Sequence, residues 1–498
     1  MTGSETTGGS VGPVSTPRAA RILTVAALSV GLVASCTSNT EPGDSRLEQA
    51  ASWSSVTGGP PNSGRAHASV SGSPELVWSR TLGAPAIGVA SSDGIGTSFQ
   101  ATISERGCNL FALSAEDGRK RWCTRLPTDG PRITATVDGR GSLFVPLHGG
   151  VAAIAAEGEN RWFLPTRGVP TTVTLLDNRH LLVISHQGTA EVVNTHTGLS
   201  ASPSLRLAGP VATGDRAYGV PWCGLGERGC PVPGPAAVDT ATATAYVTVW
   251  TPDVDDPELV AVRYNRAEAA RGQSMFEVLW RVPLPEGRSG VPAVLSNDRG
   301  TVYVHSRDGA LGAYSTADGS TLWSVPVGYR PDLPPAVLPD GTVVTGGRTT
   351  TMWEGPDDDH DDDAGPSPVV AVRAEDGSGA QLWRRDDLQQ LTNPAATEDG
   401  RVVVAVRAGG GSVADDDADR SGENTTGPGI AIHVLDGGDG RTLHRIDVPA
   451  ATGPVSGLSI DSDGRIALTT AVGAAEELSR GRGCAARTPG PPRTARCA

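Results

Sequence analysis

Cysteine is the residue type with the clearest chemical potential in this sequence. The chain has seven cysteines, and setting Cys36 aside leaves six, an even number that suits disulfide pairing in an oxidising compartment. Cys108 and Cys123 flank a predicted β-hairpin and could face one another across its strands. Cys223 and Cys230 bracket the loop GLGERG and could staple it. Both pairs are possible disulfides, provided that their Cα atoms lie close enough.

Cys36 stands apart because it ends the segment VASC at residues 33–36. Arg18 and Arg21 precede the apolar run at 22–35, which is too short to span a bilayer but suits the core of a signal peptide. The segment resembles the bacterial lipobox, whose cysteine is lipidated and becomes the first residue of the mature protein. Two acyl chains would anchor it stably. The alternative is an ordinary secretory signal that happens to precede a cysteine.

These features predict the organisation of the N-terminal part of the chain. Residues 1–35 are expected to be a lipoprotein signal peptide, and lipidated Cys36 is expected to hold the protein on the extracytoplasmic side of the cell membrane. Residues 36–74 are polar and rich in Ser, Gly and Pro. Because such a composition buries little apolar surface, we expect a flexible tether there.

Other residues with catalytic or metal-binding potential lack the arrangement that such chemistry requires. Two acidic insertions, near 354–367 and 408–428, include a run of aspartates around His360. Ca²⁺ accepts carboxylate ligands, but the spacing matches no EF-hand loop, and solvated disordered loops are the preferred interpretation. No G-x-S-x-G elbow singles out a nucleophilic serine, and no CxxC motif indicates zinc. We therefore predict no catalytic residue, no metal site and no cofactor.

The charge of the chain excludes one class of partner. It has 55 acidic and 41 basic residues, which give a formal net charge of -14 at pH 7. Binding to nucleic-acid phosphates requires a basic face. No nucleic-acid partner is therefore expected.

A recurring pair of glycine and tryptophan indicates the secondary structure that positions the cysteines described above. In the stretch NLFALSAEDGRKRW, Gly118 precedes Trp122 by four residues, and the pair recurs along the chain. Glycine permits the positive φ of a tight hairpin turn, and the indole can fill the gap between neighbouring blades of a propeller. A period near 40 residues is typical of a four-stranded propeller blade. The tryptophans assigned to this structural docking role are Trp78, Trp122, Trp162, Trp280, Trp323 and Trp383.

The number of repeats predicts the architecture. Seven repeats end near residues 122, 162, 202, 280, 323, 383 and 444, and an eighth begins at 453 without a tryptophan strand of its own. The stretch at 75–82 is such a strand without a blade. We therefore expect an all-β fold, an eight-bladed β-propeller of four-stranded blades over residues 75–473, closed by the N-terminal strand. A β-sandwich with scattered tryptophans is the alternative, and residues 474–498 are expected to form an irregular Arg/Pro-rich tail.

The repeated motif resembles that of propellers with pyrroloquinoline-quinone (PQQ)-type repeats, where it is called the tryptophan-docking motif. That family includes quinoprotein dehydrogenases and the lipoprotein of the outer-membrane β-barrel assembly machinery. The resemblance covers roughly residues 75–473 and is more specific for fold than for activity. In the dehydrogenases, the quinone lies against a disulfide between adjacent cysteines. This sequence has no adjacent cysteines, so the resemblance does not favour an enzyme.

The sequence therefore favours a non-enzymatic binding or assembly scaffold in the cell envelope. A ring of blades presents a broad surface for protein or peptide partners, including binding by strand addition. Two alternatives stay open. One is an envelope oxidoreductase with a PQQ-like quinone in the central funnel, and the other is a ligand-sensing module.

Overall fold

The computed structural model of this chain describes residues 53–480 with several gaps, and only the backbone of residues 474–480. Cys36 and the predicted signal peptide lie outside the described residues, as do His360 and nearly all of the two acidic insertions. The gaps are 71, 105, 127–133, 210–214, 225, 253, 270–274, 286, 330, 332, 347–367, 409–428, 449–454 and 471–473.

The described residues form four-stranded antiparallel sheets that follow one another along the chain after β1 (Pro74–Thr81). Blades 1 and 2 contain β2 (Ala86–Ser92), β3 (Thr97–Thr102), β4 (Leu110–Ser114), β5 (Lys120–Thr124), β6 (Thr136–Val137), β7 (Leu143–Leu147), β8 (Gly150–Ile154) and β9 (Asn160–Pro165). Blades 3 and 4 contain β10 (Pro170–Leu175), β11 (His180–Ser185), β12 (Thr189–Asn194), β13 (Leu205–Arg206), β14 (Ala237–Asp239), β15 (Thr244–Val249), β16 (Glu258–Tyr264) and β17 (Phe276–Pro283).

The second half of the chain continues the same plan. Blades 5 and 6 contain β18 (Val294–Leu295), β19 (Thr301–His305), β20 (Ala310–Ser315), β21 (Thr321–Pro326), β22 (Ala336–Val337), β23 (Val343–Gly346), β24 (Val369–Glu375) and β25 (Ser378–Arg385). Blade 7 contains β26 (Ala395–Ala396), β27 (Arg401–Arg407), β28 (Ile430–Asp436) and β29 (Thr442–Val448). Two short helical segments are a 3-10 turn at Val220–Trp222 and helix α1 at Arg266–Ala269.

The all-β class is confirmed, but the predicted number of blades needs a correction. Seven blades, not eight, consist of four strands that are consecutive in the chain. The remaining four-stranded sheet, here called the closing sheet, is composite. It joins β30 (Val455–Ile460), β31 (Ile466–Thr470) and β32 (Ala474–Arg480) to β1 from the other end of the chain. Strand β32 occupies residues that the sequence had placed in an irregular tail.

Burial explains why these segments become strands. The inner strands are packed on both faces, and β7 is accordingly an uninterrupted buried run, LFVPL. The outer strands alternate between exposed and partly buried positions, as in β9, NRWFLP. First strands of neighbouring blades contact one another, which places them around the centre of the ring.

The antiparallel order gives the ring two distinct faces. The turn face carries the hairpins that join the first strand to the second and the third to the fourth in each blade. The loop face carries the connections between second and third strands and those between successive blades. Long connections such as 207–236 and 250–257 therefore emerge on the loop face.

Candidate functional site

The predicted docking tryptophans each lie against a glycine of the following blade. A Cβ atom added to Gly158 would lie 2.8 Å from Trp122 of the preceding blade. The Trp122 Nε1 also donates a hydrogen bond to the carbonyl of Ala156, at 2.6 Å. The same glycine and tryptophan contact joins Trp78 to Gly118, Trp162 to Gly198, Trp280 to Gly319, Trp323 to Gly379 and Trp383 to Gly440. These tryptophans therefore contact neighbouring blades and are structural.

A segment that we call the collar, residues 53–70, corrects the prediction of a tether over 36–74. Trp53, Ala66 and Val70 are buried in the core formed with blade 7 and the closing sheet. The segment has little apolar surface of its own, as its composition indicated. It is nevertheless ordered because the propeller supplies the apolar surroundings and the backbone partners.

Backbone hydrogen bonds attach the collar to the first strands of six blades. The N–H groups at or near the turn-face ends of these strands donate to successive collar carbonyls, so the collar follows the ring in blade order. Pro60 and Pro61 have no N–H but still offer carbonyls, which suits a segment that accepts hydrogen bonds on one side. The donor and acceptor pairs are Ser92 to Trp53, Val137 to Ser54, Val238 to Pro60, Leu295 to Pro61, Val337 to Ser63 and Ala396 to Gly64.

Asn62 fixes the collar between blades 4 and 5. Its side chain is buried, and its Nδ2 donates to the carbonyls of Pro235 and Ala293, each at 3.1 Å. Its Oδ1 accepts a hydrogen bond from Thr57 Oγ1 at 2.6 Å. The φ of Asn62 is +56°, a left-handed conformation that asparagine tolerates better than most residues.

On the loop face, a disulfide holds a short loop with exposed aromatic residues. Cys223 and Cys230 form this disulfide, with a Cα–Cα distance of 5.0 Å. Tyr218 and Trp222 are 45% and 39% exposed, and their rings meet edge to face with centroids 5.3 Å apart. A Cβ atom at Gly229 would overlap the Trp222 ring, so glycine is required there for the indole to pack.

Arg288 anchors this loop to blade 4. Its side chain is fully buried and donates hydrogen bonds to the carbonyls of Cys230, Pro231 and Thr248. Burial lowers the pKa of Arg288 to about 9, so the guanidinium stays charged at neutral pH. Its Cζ also lies 5.8 Å from the centre of the Trp250 ring, and that of Arg228 lies 5.4 Å away.

His186 joins the same loop to blade 3. Its Nε2 lies 2.8 Å from the carbonyl oxygen of Tyr218, and its Nδ1 accepts from the N–H of Val169. Burial lowers the pKa of His186. A neutral imidazole protonated on Nε2 satisfies both contacts, and the loop is thereby fixed at its N-terminal side.

The structure also forms the other possible disulfide, Cys108–Cys123, with a Cα–Cα distance of 5.7 Å. Among the described residues, no group of three or more His, Cys, Asp or Glu side chains is placed to hold a metal ion. Within the same part of the chain, no helix is long and apolar enough to cross a membrane.

Sequence reasoning missed the collar, Arg288 and the exposed aromatic pair. Trp222 carried a signal, because it falls outside the 40-residue period of the docking tryptophans. Trp53 carried another, since a large aromatic residue is unusual in a tether. Arg288 had no such signal, because its role depends on carbonyls from 40 to 58 residues away in the chain.

Comparisons with known proteins agree on the repeat type. A family model described as PQQ_2, outer membrane protein assembly factor BamB, matches residues 237–358. The chain is 31% identical over 374 residues to a protein of Mycobacterium tuberculosis named only by number, Protein Rv3035. That match covers 74% of this chain and 81% of the relative.

Solved structures show the same fold. The crystal structure of BamB from Moraxella catarrhalis has a TM-score of 0.51 at 16% identity and covers 82% of this chain and 99% of that one. Quinohemoprotein alcohol dehydrogenase from Comamonas testosteroni has a TM-score of 0.58 at 12% identity and covers 91% and 84%. At these identities, the likeness shows the fold alone.

Proposed function

Since the chain belongs to the PQQ-repeat β-propeller family that includes Protein Rv3035, we propose that it is a membrane-anchored scaffold that binds a protein partner outside the cytoplasm. The loop face is the surface that binds this partner. The observation that carries the proposal is the exposed pair Tyr218 and Trp222 on the disulfide loop.

The chemistry of this loop suits a protein partner. Tyrosine, tryptophan and arginine are the residues that most often dominate the energy of protein interfaces. Here Tyr218, Trp222 and Arg228 belong to one loop, which the disulfide, Arg288 and His186 hold in place. A loop that is already ordered loses little conformational entropy on binding. The matching family model, described as an assembly factor, favours the same class of ligand.

The membrane anchor in this proposal is lipidated Cys36. Cys36 precedes Trp53 by 17 residues, a length that reaches at most about 60 Å when extended. Trp53 begins the collar at the turn face, on the opposite side of the ring from the loop face. The disulfides Cys108–Cys123 and Cys223–Cys230 suit an oxidising compartment.

No specific observation on the described residues favours quinone-dependent oxidation. The likeness to alcohol dehydrogenases rests on 12% identity, which carries the fold and no chemistry. The sequence has no adjacent cysteines, and the collar lies across the turn-face end of six first strands. The scaffold interpretation therefore remains the preferred one.

Site-specific photo-crosslinking in the native envelope tests the scaffold proposal. A photoreactive residue replaces Arg216, which is exposed next to Tyr218, and a control chain carries it at exposed Leu322 on the outer strand β21. We expect one protein to be captured at 216 and not at 322, and to be lost when Trp222→Ala is added. Capture that is equal at both positions, or unchanged by Trp222→Ala, would contradict the proposal.

Mass spectrometry of the mature protein tests the anchor separately. We expect the N-terminal residue to be Cys36 with a diacylglyceryl group. An unmodified Cys36, or a chain still starting at Met1, would contradict lipid anchoring without affecting the test of the loop face.

A further inference from the structure

The collar passes blade 3 without a direct backbone hydrogen bond to its first strand. The collar carbonyls of Ser54 and Pro60 accept hydrogen bonds from blades 2 and 4. Between these two residues the collar turns back on itself, because the N–H of Ser54 donates to the carbonyl of Gly58 at 2.8 Å. Among the described residues, no collar carbonyl accepts a hydrogen bond from β10, the first strand of blade 3.

Leu175 is the residue of blade 3 that corresponds to the donors of the other blades. In blade 2 the donor is Val137, directly before Asp138, whose N–H closes the turn. Leu175 likewise comes directly before Leu176, whose N–H donates to the carbonyl of His180 at 2.8 Å. Because hydrogen-bonded and non-hydrogen-bonded pairs alternate along an antiparallel ladder, the N–H of Leu175 points away from the second strand of its blade. Leu175 is buried, so this N–H needs a partner from another source.

A small cavity, here called the collar cavity, lies where the collar passes blade 3. Its volume is about 10 Å³, which is the space that a single water molecule needs. Blade 3 and the collar both contribute to its wall, together with blades 2 and 4. The lining residues are Ser54, Ser55, Pro60, Thr136, Val137, Thr174, Leu175 and Thr240.

The wall of the collar cavity contains a second group that needs a hydrogen-bond partner. Ser55 is 9% exposed, and its Oγ is buried without a partner among the described residues. A water molecule can accept from the N–H of Leu175 and also bond to a hydroxyl, which both donates and accepts. A cation would fit less well, because the N–H of Leu175 presents a positive hydrogen to the site.

We propose that one buried water molecule occupies the collar cavity and replaces, in blade 3, the collar carbonyl that the other blades use. It accepts a hydrogen bond from the N–H of Leu175 and bonds to Oγ of Ser55. The water joins the collar to blade 3, so the collar is held by this blade as well. None of the loop-face residues described above lines the cavity, and the water site is therefore independent of the proposed partner.

A crystal structure of the full-length protein at about 1.6 Å resolution tests this site. We expect density for one water at about 2.7–3.2 Å from the Leu175 nitrogen and within hydrogen-bond distance of Ser55 Oγ. The proposal is overturned if no density lies there, or if a collar carbonyl accepts directly from Leu175. It is also overturned if the density is a metal ion, with contacts to oxygen of about 2.0–2.5 Å.

The variant Ser55→Val provides a second test in solution. Valine removes the hydroxyl and adds methyl groups that fill the cavity, so the water is excluded. Oxygen-17 magnetic relaxation dispersion counts long-lived buried waters, and we expect one fewer in Ser55→Val than in the wild type. Ser63→Val is the matched control, because Ser63 is a collar residue that does not line the cavity. Equal counts in the wild type and Ser55→Val, or the same loss in Ser63→Val, would contradict the proposal.

Discussion

The indole of Trp78 lies against Gly118, although the two residues are 40 positions apart in the chain and belong to different sheets. A Cβ atom at Gly118 would lie 2.6 Å from two ring atoms of Trp78. The Trp78 Nε1 also donates to the carbonyl of Ala115 at 3.2 Å, and Arg80 donates to the carbonyl of Gly118 at 2.9 Å. Trp78 belongs to the closing sheet and Gly118 to blade 1, so this contact completes the ring.

Replacing Gly118 by alanine is expected to destabilise the ring at this closure. Alanine meets the Trp78 ring and must also adopt a φ of +66°. The combined overpacking and backbone strain is expected to lower the free energy of unfolding by about 2–4 kcal/mol. Chemical denaturation followed by tryptophan fluorescence measures the loss.

Gly341→Ala is the control for backbone strain alone. Gly341 has a φ of +87°, and nothing lies within 4 Å of the position where its Cβ would be. We expect a loss of about 1–2 kcal/mol. A loss at Gly341 as large as that at Gly118 would show that docking of Trp78 adds nothing.

Asn62→Ala is expected to loosen the collar. The change removes the hydrogen bonds to the partly buried carbonyl of Pro235 and the buried carbonyl of Ala293, and leaves both without that donor. It also places alanine at a positive φ. We expect a loss of about 2–3 kcal/mol and faster cleavage within residues 53–70 during limited proteolysis. Asn178→Ala, in an exposed turn of blade 3, is the control, and equal cleavage in both variants would contradict the anchoring role.

Arg288→Met is expected to release the disulfide loop. Methionine keeps much of the side-chain volume but leaves three carbonyls without their donor. Leaving a buried acceptor without its donor costs about 1–3 kcal/mol, so we expect a loss of at least that size, and the 218–230 loop should become sensitive to protease. Arg228→Met is the matched control, because Arg228 also lies over Trp250 but is largely exposed. An Arg288→Met protein as stable as this control would contradict the anchor.

The regular repeats made most of the fold predictable from the sequence. Contacts between segments that are distant in the chain could not be predicted in this way. The glycine and tryptophan spacing indicated the strand order in each blade, because both residues serve local turns and nearest-neighbour contacts. The pairing of β1 with the end of the chain was predicted because the stretch at 75–82 is a tryptophan strand that has no blade of its own. The collar was missed because its order comes from N–H groups of six blades, and composition reports only what a segment can bury by itself.

The acid stability of the fold is expected to depend on His305. Burial lowers its pKa to about 4, from an ordinary value of 6.5, and its Nε2 contacts Thr345 Oγ1 at 2.9 Å. Between these two values, the unfolded chain binds a proton at this site that the folded chain does not bind. Stability is therefore fully present above pH 6.5 and falls as the pH decreases towards 4, by up to about 3 kcal/mol.

Unfolding free energies measured from pH 7.5 to 4 in wild type and His305→Gln test this dependence. Glutamine carries no titrating group, so we expect a shallower fall in the variant. Burial also lowers the pKa of His186, so His186 maintains part of the dependence of stability on pH in the variant. Burial raises the pKa of Asp461 and of Glu191, and these acids contribute with the opposite sign. Exposed His196→Gln is the control, and identical slopes in the wild type and His305→Gln would show that His305 does not govern acid unfolding.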